Sequence, residues 1–210
     1  MLPAPLCFNQ VRLNLMLLIG LTGGIAAGKT TVANLWVTLG AIEIDADVVA
    51  REVVAPGTVG AKAIEESFGA QFFDSGTLNR KKMAEMVFTD KTAKSKLEQI
   101  VHPLVRQKVL ETLEKLPADA VVIYSVPLLV EAAVDLPFDV IVTVEAPEDV
   151  RIQRLISDRG YSAEEAKARI ANQASPIQRA QVADYILNSN QTLDEFKSDA
   201  LALWNKITGK

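Results

Sequence analysis

Gly23-Gly24-Ile25-Ala26-Ala27-Gly28-Lys29-Thr30 satisfies the spacing G-x-x-x-x-G-K-[ST] in full. The chemistry served by that spacing is the cradling of phosphates. Glycines let backbone N–H groups curl around an anion, and the positive end of a following helix adds to their field. A lysine placed as Lys29 reaches the β- and γ-phosphates as a point charge, and a hydroxyl placed as Thr30 ligates Mg²⁺. The motif carries weight only where it follows a buried strand and opens a helix. Leu15–Leu21 is a continuous apolar run, and Lys29–Leu39 has apolar residues at helical spacing in Val32, Leu35, Trp36 and Leu39. A Gly-rich turn of a dinucleotide fold is the bland alternative. It fails because G-x-G-x-x-G is absent and Lys29-Thr30 would be unexplained. The segment reads as a purine triphosphate site.

The acids narrow the class. A switch GTPase should carry D-x-x-G and N-K-x-D, and neither is present; Asn205-Lys206-Ile207-Thr208 lacks the aspartate. The third apolar run ends Tyr124-Ser125-Val126-Pro127, without the acid that often organises Mg²⁺ at a strand end. Asp45 and Asp47 follow the second run directly. In a parallel sheet they stand on the carboxyl edge, where ligands of open α/β sheets bind. Either can accept the proton of an attacking hydroxyl or hold water on Mg²⁺. Either can equally cap the helix expected at 48–53.

Arg151, Arg154, Arg159, Arg169 and Arg179 share one insert. Such a segment can close over a triphosphate and neutralise the migrating phosphoryl group. A solvated helix face is the competing reading, since Glu164, Glu165 and Lys167 interleave with the arginines. The cluster, taken with the phosphate loop, favours a lid and phosphoryl transfer over slow hydrolysis.

These residues need a scaffold, and apolar runs alternating with helical patterns supply it. After Leu15–Leu21, runs stand at Ala41–Ile44, Ala120–Tyr124, Val140–Val144 and, weakly, Tyr185–Leu187. Between them, helices are expected at Val59–Phe68, Arg80–Phe88, Thr92–Lys115, Pro147–Ser157, Ser162–Ala174 and Leu193–Ile207. Strands buried on both faces and alternating with helices give an α/β fold, a five-stranded parallel sheet flanked by helices. Residues 56–116 and 158–180 break the alternation as helical elaborations.

The chain has 210 residues, 22 Lys+Arg against 26 Asp+Glu, one His and one Cys. At ~150 residues per domain, this is one domain, expected over residues 16–210. The balance of −4 excludes a globally basic nucleic-acid binder. Cys7 and His102 alone cannot build a Cys/His zinc site, and the lone cysteine fits a reducing cytoplasm. No run approaches the ~20 apolar residues that span a membrane, and no basic region precedes the apolar run as in a signal peptide. Residues 1–15 read as an extension or a start-site artefact. No oligomeric state follows from the sequence.

Further motifs carry a resemblance. Gly20-Leu21-Thr22-Gly23-Gly24-Ile25 runs into Gly28-Lys29-Thr30-Thr31. Asp45-Ala46-Asp47 is followed by Ala50-Arg51-Glu52-Val53-Val54, then Leu78-Asn79-Arg80, His102-Pro103, Pro127-Leu128-Leu129 with Glu131, and Arg169-Ile170 with Gln173. In this order, from about Leu17 to Trp204, the chain resembles the dephospho-CoA kinases. The resemblance implies a P-loop kinase core related to nucleoside monophosphate kinases. It implies a helical acceptor region at about 56–116 and a lid at about 155–180. The implied reaction moves the γ-phosphoryl group of ATP, with Mg²⁺, to the ribose 3′-hydroxyl of dephospho-CoA, the last step of coenzyme A biosynthesis.

It also implies roles. Lys29, Asp47 as general base and Arg154 are the catalytic set. Gly23, Gly24, Ala26, Ala27, Gly28, Lys29, Thr30 and Thr31 hold the triphosphate, with Arg159 and Asn188 near the nucleotide and Thr30 on the metal. Thr22, Asp45, Asp47, Arg51, Arg80, His102, Arg106, Pro127 and Leu128 shape the acceptor side. His102 reads as structural or acceptor-side, because Pro103 marks a helix break where a buried imidazole satisfies backbone groups. Ala26 and Ala27 stand where Gly and Ser are usual, and phosphate binding is expected to survive with Ala26 at negative φ. Asp158-Arg159-Gly160 stands where an Arg-Asp pair is common, and Asn188-Ser189-Asn190 where Asn-x-Gly is. A nucleoside monophosphate kinase is the nearest alternative, but it would carry a D-G-F-P-R-like segment where Val126-Pro127-Leu128-Leu129 stands. A regulatory protein with a degenerate site is disfavoured by the presence of Lys29, Asp47 and the arginines.

Overall fold

The computed structural model describes residues 15–132 and 134–209, so the expected extension, Leu15 apart, lies outside the described residues. In chain order the elements are β1 (Leu17–Gly23), α1 (Lys29–Thr38), β2 (Ile42–Asp45), α2 (Ala46–Glu52), α3 (Val59–Phe68), β3 (Phe73–Asp74), β4 (Thr77–Leu78), α4 (Arg80–Thr89) and α5 (Lys91–Leu113). They continue with β5 (Val121–Ser125), β6 (Val140–Glu145), α6 (Glu148–Arg159), α7 (Ala163–Ala171), α8 (Pro176–Val182), β7 (Tyr185–Asn188) and α9 (Leu193–Thr208). Two compact units result: the chain up to Ile44 with that from Pro117 onward, and Asp45–Leu116.

The first unit carries a five-stranded sheet in the order β2-β5-β1-β6-β7. The β1–β5, β1–β6 and β6–β7 pairings are parallel. β1 is central and nearly all buried, as a strand covered on both faces must be. Ile19, Leu21, Ile123, Val142 and Val144 build the core with Val32, Trp36, Phe196 and Trp204. The Trp36 and Trp204 rings lie 5.8 Å apart, and Trp36 Nε1 donates to Ala200 O at 2.9 Å. The polar edge of that indole is thereby satisfied in the core. These contacts fasten α1, and the loop that opens it, to α9.

The second unit is helical around a small hairpin. Val54, Ile64, Leu78 and Met83 form its core, with Phe72, Leu97, Ile100 and Val101 packed against them. β3 and β4 are joined through Ser75 (φ 48) and Gly76 (φ 80), the two positive φ values that a tight hairpin turn demands.

Two sequence expectations are corrected. His102-Pro103 breaks nothing: Pro103 sits inside the continuous α5. Proline removes one helical hydrogen bond, and His102, Pro103 and Gln99, whose carbonyl loses its helical partner, are all exposed, so solvent can take that partner's place. His102 is therefore exposed rather than buried among backbone groups. The single helix expected over 162–174 ends at Ala171, and a separate α8 begins at Pro176. Ser175 and Gln178 form a capping box there with Pro176 in the first turn, a start signal strong enough to open a new helix.

Candidate active site

β1 delivers the chain to the phosphate loop at the carboxyl edge of the sheet, and α1 leaves it. Gly28 is the N-cap of α1 in left-handed conformation (φ 105), and no side chain caps that helix. Asp45, Thr58, Asn79, Asp90, Ser162, Ser175 and Thr192 cap other helix starts with their side chains, while α6, behind Pro147, lacks a side-chain cap as α1 does. A helix start with no side-chain acceptor leaves its first amides for an anion.

The loop is held from outside. Ala27 N donates to Gly24 O at 3.0 Å, and Ile25 N donates to Gln173 Oε1 at 2.8 Å. Arg154 Nη1 donates to Ala26 O at 3.1 Å, and Ser189 Oγ donates to Ala27 O at 2.5 Å. Arg154 also donates to Ser189 Oγ at 2.9 Å and to Ser189 O at 2.8 Å. A planar trans peptide points its N–H opposite to its carbonyl. Binding the Ala27 carbonyl to Ser189 thus turns the Gly28 N–H away from Ser189.

Ala26 adopts φ 61, contrary to the expected negative value. A left-handed L-residue costs about 1–2 kcal/mol. Packing supplies the compensation: Ile25 and Ala26 lie against Leu155, Ala166 and Ile170 of α6 and α7, while Arg154 holds the carbonyl.

Lys29 Nζ donates to Ser125 Oγ at the end of β5. The strand end that lacks an acid therefore presents a buried hydroxyl to the loop lysine. Thr22 Oγ1 donates to Pro127 O at 3.4 Å. Thr31 and Pro127 are half-buried and Leu128 is exposed. Asn188 is exposed at the end of β7, and its Oδ1 accepts from Asn190 N at 2.9 Å.

The five arginines occupy different environments. Arg159 and Arg169 are exposed, and Arg169 stacks over Tyr161 with its guanidinium carbon 4.4 Å from the ring centroid. Arg154 braces the loop. Arg179 is only 1% exposed and forms a bidentate pair with Glu145: Nε to Oε1 at 2.5 Å and Nη2 to Oε2 at 2.6 Å. Thr143 Oγ1 donates to the same Glu145 Oε1 at 2.7 Å. Arg151 is 3% exposed, and its buried Nε has no hydrogen-bond partner. Burial, then the neighbouring Arg179 charge, hold Arg151 below the ordinary guanidinium range, while Glu145 and Glu148 pull the other way. Sequence reasoning missed Glu145, Ser125 and Ser189. The polar end of the otherwise apolar run 140–144 was the only signal for Glu145.

The remaining sequence-derived residues lie in the helical unit. Asp45 accepts from Asp47 N at 2.7 Å and Val48 N at 3.2 Å, so of the two acids it is the cap. Asp47 sits in the first turn of α2, exposed, and its carboxylate accepts no hydrogen bond from a described residue. Arg51 and Arg80 are exposed, and Arg80 Nη2 donates to Arg51 O at 3.4 Å. His102 and Arg106 are exposed on α5, four residues apart and so on one helix face.

Thr30 is the residue at the loop whose hydroxyl could hold a metal ion. Among the described residues no group of three or more His, Cys, Asp or Glu gathers into a metal cage. Thr30, exposed in the first turn of α1, presents a hydroxyl with no hydrogen-bond partner among them. That fits Mg²⁺, which keeps several waters and is commonly held by few side chains plus substrate phosphates. No helix of the described residues is long and apolar enough to cross a membrane.

Residues 17–195 match the family model of dephospho-CoA kinase, CoaE. The chain is similar to the dephospho-CoA kinase of Streptomyces avermitilis, 42% identical over 90% of this chain and 93% of that protein. It is 43% identical over 91% of its length to the dephospho-CoA kinase of Mycolicibacterium paratuberculosis, of which it spans 47%, about half. Among solved structures, a dephospho-CoA kinase from Campylobacter jejuni aligns with TM-score 0.70 and 25% identity, covering 92% of this chain and 98% of that one.

Proposed function

The chain belongs to the dephospho-CoA kinase family, kinases with ATP as phosphoryl donor, and from that premise we propose that it phosphorylates the ribose 3′-hydroxyl of dephospho-CoA, giving coenzyme A and ADP in the cytoplasm. The uncapped start of α1 behind Gly28, with Lys29 beside it, is the observation that carries the donor half of this reading. Loop amides and Lys29 hold the β- and γ-phosphates. Thr30 would hold Mg²⁺, which when bound neutralises charge on the bridging phosphate oxygens.

Ribose hydroxyls are poor nucleophiles near neutral pH, and the transition state for phosphoryl transfer is loose. Alignment and charge neutralisation therefore contribute more than early deprotonation. Asp47 is the acid left over once Asp45 caps α2. An exposed carboxylate without a hydrogen-bond donor suits a group that orients a hydroxyl and takes its proton late. Arg154 fixes the conformation of Ala26 and adds positive charge beside the loop. Arg51, Arg80, His102 and Arg106 are donors for an anionic acceptor, with Leu128 offering apolar surface. Arg159 and Asn188 are assigned to the nucleotide side.

A coupled ADP-release assay with dephospho-CoA beside AMP, CMP and adenosine tests the reading. Turnover is expected with dephospho-CoA. Lys29→Ala should reduce kcat by on the order of 10²–10³, the scale of losing one preorganised charge donor. Asp47→Asn should lower kcat with ATP affinity unchanged. Absence of turnover that depends on dephospho-CoA overturns the assignment.

A further inference from the structure

Among the described residues, Arg151 carries at Nε the buried side-chain nitrogen or oxygen left without a hydrogen-bond partner. It stands in the first turn of α6, and its guanidinium lies against the phosphate loop: a Cβ built on Gly24 would fall 2.5 Å from Arg151 Nη1 and 3.2 Å from Arg179 Nη2. A side chain at position 24 would push the Arg151 guanidinium aside. The nearby carboxylate is already engaged, since both Glu145 oxygens accept from Arg179 and one also accepts from Thr143. The Glu145 carboxylate is thus taken by Arg179, Glu148 attracts Arg151 without pairing to it, and the Arg151 side chain makes no hydrogen bond or ion pair with a described residue. Burying a cation without a partner is costly. The cost is offset when an anion arrives within the same low-dielectric region, where charge interactions are stronger than in water.

We propose that Arg151 is a positioning residue for the donor polyphosphate, a buried cation behind Gly24 that is completed electrostatically when a triphosphate enters the loop. It acts through the loop backbone. Its charge adds to those of Lys29 and the loop amides, and selects for the number of phosphates rather than for the base. This rests on the loop being a triphosphate site and is independent of which hydroxyl accepts the phosphoryl group.

The experiment uses the full chain without acceptor, with ATP and AMP as probes in titration calorimetry and thermal unfolding without nucleotide. Arg151→Met keeps the volume and removes the charge. Removing an unpaired cation beside Arg179 should leave the Tm without nucleotide unchanged or raised, while the Kd for ATP rises by about tenfold, a typical effect of one partly buried charge pair. The AMP Kd should stay as in the wild type, and Arg151→Lys should recover most of the ATP affinity. A merely structural arginine gives the opposite pattern: a lower Tm with ATP affinity kept. That result overturns the proposal, as does a loss of affinity equal for ATP and AMP or an ATP affinity no better in Arg151→Lys than in Arg151→Met. Failure of the wild type itself to bind ATP would instead overturn the triphosphate site.

Discussion

In the sheet-bearing unit, Arg151 and Arg179 are 3% and 1% exposed and lie against the phosphate loop. In the helical unit, Arg51, Arg80, His102 and Arg106 all face solvent. The contrast separates two ways of binding anions. Buried guanidinium groups cannot adapt, so they suit a ligand whose charge always arrives in the same place, as a polyphosphate does in a loop of fixed amides. Exposed ones retain side-chain freedom and hydration, and they suit a larger acceptor whose contacts are spread over a surface.

Removing the carboxylate at the centre of the first unit strikes the comparison hardest. Glu145→Gln leaves Arg179 buried without its paired carboxylate and beside a second cation, Arg151, and should cost about 3–5 kcal/mol of stability, as for a broken buried pair. Adding Arg151→Met to that variant should return part of the loss, because one of the two repelling cations is gone. In the helical unit, the exposed Lys94–Glu98 pair at 3.7 Å serves as the control. Glu98→Gln should change stability by less than about 0.5 kcal/mol. Urea unfolding of the three variants decides the matter, and equal losses for Glu145→Gln and Glu98→Gln would erase the contrast.

A step down in size lies Asp45. Asp45→Ala removes the acceptor of two amides at the start of α2 and should cost about 1 kcal/mol. Asp47→Ala, two residues on and exposed, should cost less stability while affecting turnover more. Equal losses of stability for the two would mean that the cap is not confined to Asp45.

The donor side was legible because its parts are contiguous: strand, glycines, Lys29 and Thr30 lie within one short segment whose spacing encodes its geometry. Local sequence left Asp45 and Asp47 interchangeable, since both are acids at a helix start, and only the family resemblance pointed to Asp47 as the base. The 2.7 Å bond from Asp47 N separates them. The arginines were legible as a cluster but not by role. Arg151, Leu155 and Arg159 share one stripe of α6, so helical phase does not tell buried Arg151 from Arg159, which is exposed at the helix end, and burial of Arg179 depends on Glu145, which arrives from β6. Pairings between distant segments leave no local pattern. The break expected at Pro103 came from weighing a local rule over context, because an exposed proline can lose its hydrogen bond to water.

The smallest effect concerns strain in the loop. Ala26 at φ 61 carries about 1–2 kcal/mol of left-handed strain that glycine would relieve. Glycine returns about 0.5–1 kcal/mol of that through the greater freedom of the unfolded chain. Ala26→Gly should therefore stabilise the protein by a net of about 0.5 kcal/mol, read as a small rise in urea midpoint with the slope unchanged. The methyl group lost from the packing with Leu155, Ala166 and Ile170 works against that gain. A measured destabilisation would mean that apolar packing, rather than the Arg154 hydrogen bond to the Ala26 carbonyl, holds the loop in its left-handed turn.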